Sequence, residues 1–157
     1  DRIKAAVDAK EEDSFFIRFA KMAKLSPILP LPSGGRTLFN PVFVKDVAKS
    51  IHLIIENEKL QGKTYDLGGP EIYSFRELME FINNNIKNPR ILLPLNYYLL
   101  LIPAFIMSFL PSPVLTVDQL RQLKIDNIPD KSNLSFKDLD IIPVSVSDKM
   151  PKYLSKY

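Results

Sequence analysis

The 157-residue chain contains no cysteine and only one histidine. Without cysteine, a disulfide framework and a thiolate metal site are both excluded. His52 has no second histidine or cysteine with which to share a metal ion, and the sequence offers no Ser-His-Asp arrangement around it. We therefore predict no metal site, and a structural or surface role for His52.

The chain also lacks a marked excess of charge of either sign. Its 21 basic and 18 acidic residues give a formal net charge of +3, and the two kinds are interleaved along the sequence. Binding to a nucleic-acid backbone needs clustered lysine and arginine. The pattern therefore predicts a solvated surface and no nucleic-acid partner. The first residues are charged and do not resemble a secretory signal, which favours an intracellular location.

Charged residues are absent between Ile91 and Val117. This length would allow a transmembrane helix, but four prolines and Asn96 interrupt the run. The longest apolar stretch, residues 97–110, has the length of a buried or interfacial helix. We interpret it as a helix that packs on the core, or that lies on a membrane surface or a partner. Its aromatic residues suit either surface: Tyr97, Tyr98, Phe105 and Phe109.

Helical and extended patterns alternate along the chain, which predicts the α/β class. Apolar periodicity predicts helices over 13–24 and 46–57, a third that begins at Ser74, and a short tail helix within 147–157 that docks through Tyr153 and Leu154. Short apolar runs predict strands over 41–44, 63–67 and 90–94, whereas the proline-rich segment 26–40 predicts turns and short extended pieces. The strands are too few for a complete doubly wound sheet. The pattern therefore predicts a helix-rich lobe with few short strands.

Three capping boxes mark further helix starts. In each, a Ser or Thr side chain and an acidic or amide side chain three residues later satisfy each other's free N–H groups. The boxes pair Ser74 with Glu77, Thr116 with Gln119, and Ser135 with Asp138.

A set of short sequence phrases occurs in one order along the chain: residues 13–19, 30, 34–37, 39–48, 64–70, 73–78, 115–119, 126–127 and 153–154. This ordered set resembles the extended short-chain dehydrogenase/reductase family, also described as NAD-dependent epimerase/dehydratase-like. Within it, the set is similar to the branch of the nucleotide-binding accessory subunit of respiratory complex I and its bacterial relatives. The resemblance covers residues 13–157. Residues 1–12 do not continue the family pattern, and we interpret them as the mark of a truncated or split gene.

The resemblance implies an NAD(P) cofactor, yet the motifs that would hold and use it are missing. None of the five glycines has the spacing of a glycine-rich dinucleotide turn, and no tyrosine is followed four residues later by a lysine. We therefore expect residues 13–157 to be the carboxyl-terminal, substrate-side lobe of such a protein, with its Rossmann half largely absent. We also expect this chain to have no catalytic residues, to lack most of the cofactor site and not to be an enzyme by itself.

The candidate contacts to nucleotide or substrate are Gly34, Gly35, Arg36 and Thr37. Backbone N–H groups and a guanidinium at such a turn can bind a phosphate or carboxylate. The alternative is a tight turn with a surface arginine. Asp46 is interpreted as the N-cap of the second helix, with a polar contact inside the lobe as its alternative.

Three functions remain in play at this stage. The resemblance favours a non-catalytic structural or assembly role, with respiratory complex subunits or the missing Rossmann half as partners. It would place the protein at the bacterial cytoplasmic face of the inner membrane or at the mitochondrial matrix side. The alternatives are the substrate lobe of an NAD-dependent epimerase/dehydratase or reductase, and a protein associated with a membrane surface through residues 97–110.

Overall fold

The computed structural model describes residues 15–109 and 116–155. Its helices are Phe15–Leu25 (α1), Val44–Glu56 (α2), Phe75–Asn85 (α3), Tyr97–Met107 (α4), Val117–Gln122 (α5) and Val146–Leu154 (α6). Its strands are Ile28–Pro32 (β1), Leu38–Phe39 (β2), Tyr73–Ser74 (β3) and Ile91–Leu95 (β4). Single 3₁₀ turns occupy Ser33–Gly35, Glu58–Leu60 and Phe136–Leu139. The predicted α/β lobe, helix-rich with few short strands, is confirmed.

The strands form two separate pairs. β1 runs parallel to β4, with Ile28 opposite Ile91 and Pro32 opposite Leu95. β2 runs antiparallel to β3, with Leu38 opposite Ser74. A parallel pair requires a long crossover, and here the crossover contains α2, β2, β3 and α3.

The main core forms around α3. The helix turns one apolar face inward, because its buried residues recur at helical spacing: Phe75, Leu78, Met79 and Ile82. They belong to one buried cluster with α1, β1, α4, α5 and α6. From β1 the cluster takes Leu29 and Leu31, which are fully buried on alternate residues. Of the helices, α1 and α6 pack on α3, whereas α4 and α5 join the same cluster and pack on each other.

A second, smaller core lies beside α2. Val47 packs with Phe136, Leu139 and Ile141 around the last 3₁₀ turn. Asp46 is buried at its edge, where its Oδ2 accepts a hydrogen bond of 2.8 Å from the backbone N–H of Val144. The structure therefore has two cores, and this carboxylate ties α2 to the segment that leads from the smaller core to α6.

The N-cap assigned to Asp46 is wrong, and its alternative is correct. The N-cap position is Phe43, so that Asp46 falls in the first turn of α2 and faces inward. An acidic residue is favourable at either place, since both lie near the positive end of the helix dipole. The sequence pattern does not distinguish an acidic residue at the N-cap from one three positions further along that makes a buried contact.

Two of the predicted strands are also wrong. Residues 41–43 precede α2 without joining either strand pair, and residues 63–67 form only one bridge, between Tyr65 and Leu134. Such runs have the side chains of strands, yet strand formation depends on a partner in the right place. The segment 26–40, predicted to contain turns and short extended pieces, contains the five-residue strand β1. Its pairing with β4 was not predicted, since prolines at 30 and 32 are unusual inside a paired strand.

The remaining helix starts and the last predicted strand agree with the structure within a few residues. All three capping boxes form, although the box at Ser135 begins a 3₁₀ turn instead of an α-helix. The strand predicted over 90–94 is β4, and the tail helix is α6 with Leu154 buried. Of the predicted segments, residues 1–14, 110, 115 and 156–157 lie outside the described residues, and the side chain of Tyr153 is not described.

The capping box of α3 makes stability depend on pH. The backbone N–H of Ser74 donates to Glu77 Oε2 at 2.6 Å, and the Ser74 hydroxyl accepts from the Glu77 N–H at 3.2 Å. The bond from the Ser74 N–H, and then the one from its hydroxyl, holds the pKa of Glu77 below its usual value of 4.5. A carboxylate with a lowered folded pKa stabilises the fold above its unfolded pKa, and this contribution is lost as pH falls through the folded pKa.

We expect Ser74→Ala to lower the free energy of unfolding by about 1 kcal/mol at pH 7 and by less at pH 3. Urea unfolding at the two pH values measures both losses. Ser155→Ala, which removes an exposed hydroxyl at the end of α6, is the control and should change little at either pH. An equal loss at both pH values for Ser74→Ala would contradict the role given to the Glu77 carboxylate.

Candidate functional site

The turn at residues 34–37 carries the four candidate contact residues and follows β1 directly. Gly34 and Gly35 have φ of 75° and 73°, in the region where glycine is favoured. A Cβ on Gly34 would meet nothing within 4 Å, whereas a Cβ on Gly35 would lie 2.9 Å from the backbone nitrogen of Arg76. Gly35 is therefore required both by its conformation and by its close approach to the first turn of α3.

Hydrogen bonds from the same turn hold two helices. Arg76 Nε donates to the Gly34 carbonyl at 3.3 Å, and the Phe75 N–H donates to the Thr37 carbonyl at 2.8 Å. The Thr37 hydroxyl donates to the carbonyl of Leu123, just beyond α5. These bonds support the structural alternative for the glycines and Thr37, since each serves to position a neighbouring helix.

Arg36 differs from its neighbours because its side chain is exposed. It caps the 3₁₀ turn in a right-handed conformation, between Gly35 and the inward-facing Thr37. Its guanidinium is therefore the group of the four that an incoming phosphate or carboxylate would reach first.

Asn40 is a connecting residue that the sequence did not reveal. Its side-chain amide donates to the carbonyls of Gly69 and Glu71 at 3.0 and 2.7 Å, and its backbone N–H donates to Asn127 at 3.0 Å. A Cβ on Gly68 would lie 1.6 Å from Asn40 Oδ1. The glycine pair at 68–69 therefore allows two chain segments to lie in direct contact. Only the neighbouring glycines hinted at this contact.

A polar cluster surrounds Glu71. The hydroxyls of Tyr73 and Ser145 both donate to Glu71 Oε2, the second at 2.8 Å. These bonds lower the pKa of the Glu71 carboxyl. Burial, and then the hydrogen bond to Glu71, raises the pKa of the Tyr73 phenol. The cluster joins residues 74 positions apart in sequence, so spacing along the chain could not predict it.

The chemistry of this cluster is opposite to that of an acid–base tyrosine. A tyrosine that transfers protons near neutral pH needs a neighbouring cation to lower its pKa. Tyr73 instead has a carboxylate beside its hydroxyl, which favours the protonated phenol. The arrangement can position chain segments, but it does not activate the phenol.

No group of three or more His, Cys, Asp or Glu side chains is placed to hold a metal ion within residues 15–109 and 116–155. His52 lies on the exposed side of α2, with its Nε2 3.4 Å from Glu56 Oε1. The predicted surface role of this histidine is confirmed.

An open apolar groove of about 560 Å³ lies between α4 and α5. Apart from Arg121, its lining is apolar or aromatic: Tyr97, Leu101, Ile102, Phe105, Ile106 and Val117. The inner side of α4 joins the main core through Tyr97, Leu100 and Ala104. The interpretation of this stretch as a helix packed on the core is therefore confirmed. Of the helices in the described part of the chain, none is long and apolar enough to cross a membrane.

No family model matches the chain. It is 30% identical to NADH dehydrogenase [ubiquinone] 1 alpha subcomplex subunit 9 of Arabidopsis thaliana mitochondria, over 93% of this chain and 39% of that protein. It is 27% identical to the mitochondrial NADH-ubiquinone oxidoreductase 40 kDa subunit of Neurospora crassa, over 87% and 36%. Subunit 9 of Rattus norvegicus is 25% identical over 93% and 39%. The chain thus spans about two fifths of the length of these relatives. The predicted resemblance to the accessory-subunit branch is confirmed.

The two glycines of the turn give a matched pair of substitutions. Gly34→Ala should cost about 1 kcal/mol of unfolding free energy, because only the left-handed conformation opposes it. Gly35→Ala should cost about 3 kcal/mol, because the added methyl also meets the backbone of Arg76. Urea unfolding of both variants tests this. Equal losses of unfolding free energy in the two variants would show that the contact between Gly35 and Arg76 contributes little to stability.

Proposed function

Since this chain is a relative of the subunit 9 and 40 kDa subunits of mitochondrial NADH dehydrogenase, we propose that it has a non-catalytic, structural role in assembling such a complex. The observation that carries the proposal is the similarity over 93% of the chain to a protein named as a subunit of that enzyme. On this proposal, residues 13–157 form one lobe of a protein related to the short-chain dehydrogenases/reductases, and residues 1–12 lie outside it. Its partners are other subunits of the respiratory complex.

The polar cluster supports the non-catalytic part of the proposal. A phenol activated for proton transfer within these residues would have favoured an enzymatic role. In this chain no tyrosine has a lysine four residues later. The Tyr73 phenol, bonded to Glu71, has a raised pKa. Tyr73 therefore has a structural part in this lobe, which fits a structural role, whereas a Tyr-x-x-x-Lys pair upstream in a longer parent chain would favour the enzymatic alternative.

The names of the relatives also bear on location. Each is given as mitochondrial. We propose that this protein acts at the matrix side of the inner mitochondrial membrane, or at the equivalent cytoplasmic face in a bacterium. There it would contact subunits of the complex at or near the membrane.

Deleting the gene in the organism that produces this protein should lower the amount of assembled NADH dehydrogenase on native gels. Re-expression of the native protein should restore it. A Tyr73→Phe variant should restore it equally, because the proposal gives its hydroxyl a hydrogen bond and no proton to transfer. A Gly35→Ala variant should restore it poorly, because the lobe itself is weakened.

Unchanged complex levels after deletion would overturn the assembly role. A Tyr73→Phe protein that accumulates normally but does not restore function would instead favour the enzymatic alternative. Immunoblotting for the variant separates that result from simple loss of the protein.

A nucleotide is the cofactor that the family resemblance implies, and Arg36 is its proposed contact in this chain. The exposed guanidinium, at the end of the 3₁₀ turn that follows β1, can pair with a phosphate. The glycine-rich turn that would bind the pyrophosphate is missing from these 157 residues. We therefore propose that this lobe supplies one edge of a nucleotide site, with most of the site held by a partner segment.

On this proposal, NADH and NADPH at about millimolar concentration should leave the melting temperature of the chain unchanged, because a ligand stabilises only a state that binds it. Differential scanning fluorimetry measures this. A shift of several degrees would contradict the proposal and assign more of the site to this chain. Arg36→Ala, with exposed Lys45→Ala as control, would then show whether Arg36 carries the binding.

A further inference from the structure

The outer face of α4 and of the turn after it is a continuous apolar surface, called here the α4 face. Its members are large hydrophobic side chains that are 59–77% exposed: Tyr98, Leu99, Ile102, Phe105, Ile106 and Phe109. The opposite side of the helix is buried in the main core. Scattered exposed apolar residues are ordinary in proteins, but a contiguous set of this kind marks a binding surface.

The α4 face offers few groups for hydrogen bonding. Among its six members only Tyr98 carries a polar atom, and the neighbouring Ser108 hydroxyl already donates to the Ala104 carbonyl at 2.7 Å. Protein interfaces typically have about one hydrogen bond per 100–200 Å². A lipid acyl region requires none. The lack of polar atoms therefore favours lipid over a protein surface as the occupant.

Two cations lie along one side of the α4 face. Lys124 Nζ lies 4.2 Å from the ring centre of Tyr97 and 5.6 Å from that of Tyr98. Arg121 lines the groove that Ile102 and Phe105 also line. Asp118 accepts a hydrogen bond from Arg121 at 3.1 Å, but both side chains are more than two-thirds exposed. Such a pair is weak, so the guanidinium can exchange this partner for another anion.

We propose that the α4 face docks on the surface of an anionic lipid bilayer. In this arrangement Ile102, Phe105 and Ile106 enter the boundary of the acyl chains. Tyr98, Lys124 and Arg121 lie at the level of the headgroups, where tyrosine and long cationic side chains are favoured. The helix has 11 residues, which is enough to lie in the membrane surface but too short to cross it.

This inference is independent of the assembly role, because it concerns lipid and not another subunit. Flotation of the 157-residue chain with vesicles through a density gradient tests it, since protein aggregates sink while bound protein rises. The vesicles are phosphatidylcholine alone, or phosphatidylcholine with about one-third phosphatidylglycerol to supply anionic charge. We expect binding to the mixed vesicles, and weaker binding to phosphatidylcholine alone or at high salt.

Matched variants distinguish binding through the α4 face from nonspecific adsorption of the chain to vesicles. Phe105→Ser combined with Ile106→Ser should lower vesicle affinity at least about tenfold, because both side chains leave the acyl boundary. Lys124→Gln should lower it about fivefold. The control combines Ile55→Ser with Ile142→Ser, which are 69% and 92% exposed elsewhere on the chain, and should bind as the native chain does.

A tryptophan reports whether the face enters the lipid. The chain has no tryptophan, so Phe105→Trp gives a single fluorescent site. Its emission should shift to the blue with anionic vesicles and be quenched by brominated acyl chains. Three results would each overturn the proposal. They are failure of the native chain to float with the vesicles, flotation that persists in the Phe105→Ser, Ile106→Ser variant, and an indole of Phe105→Trp that brominated lipid does not quench. Any of them would leave a protein as the partner of this face.

Discussion

The close contact between the turn after β1 and the first turn of α3 is the constraint on which the rest of the lobe depends. Gly35 lies against the backbone of Arg76, and the Phe75 N–H donates to the Thr37 carbonyl. These contacts fix where α3 begins and which face it turns toward α1, β1 and α6. Four of the buried residues of the main core lie on α3, so the turn considered as a ligand site also supports the start of that helix.

The sequence predicts features that are local and misses features that depend on distant partners. Capping boxes at Ser74 and Thr116 involve residues three apart, and both form. Strand β1 needs β4, more than fifty residues away, and its prolines hide it from any local pattern. Residues 41–43 have strand-like side chains without a strand partner, because β propensity reflects a packed environment that sequence alone does not supply.

The candidate site shows the same difference between local features and contacts of distant residues. A glycine pair beside an arginine is visible in the sequence, and the structure places these residues on one turn as expected. The cluster of Glu71, Tyr73 and Ser145 is not visible, because it forms only when the segment before α6 folds back on β3. That cluster argues against proton transfer by Tyr73, since a phenol beside a carboxylate keeps its proton. The role given to Tyr73 thus depends on contacts that leave little signal in the sequence.

The division into two cores has an energetic consequence. The α2 unit packs on its own small cluster around Phe136 and Leu139, and none of the buried residues of that cluster belongs to the core around α3. A cavity made in one core therefore removes no side chain that packs in the other. Losses of unfolding free energy from one such change in each core should add, as they do for sites without shared partners.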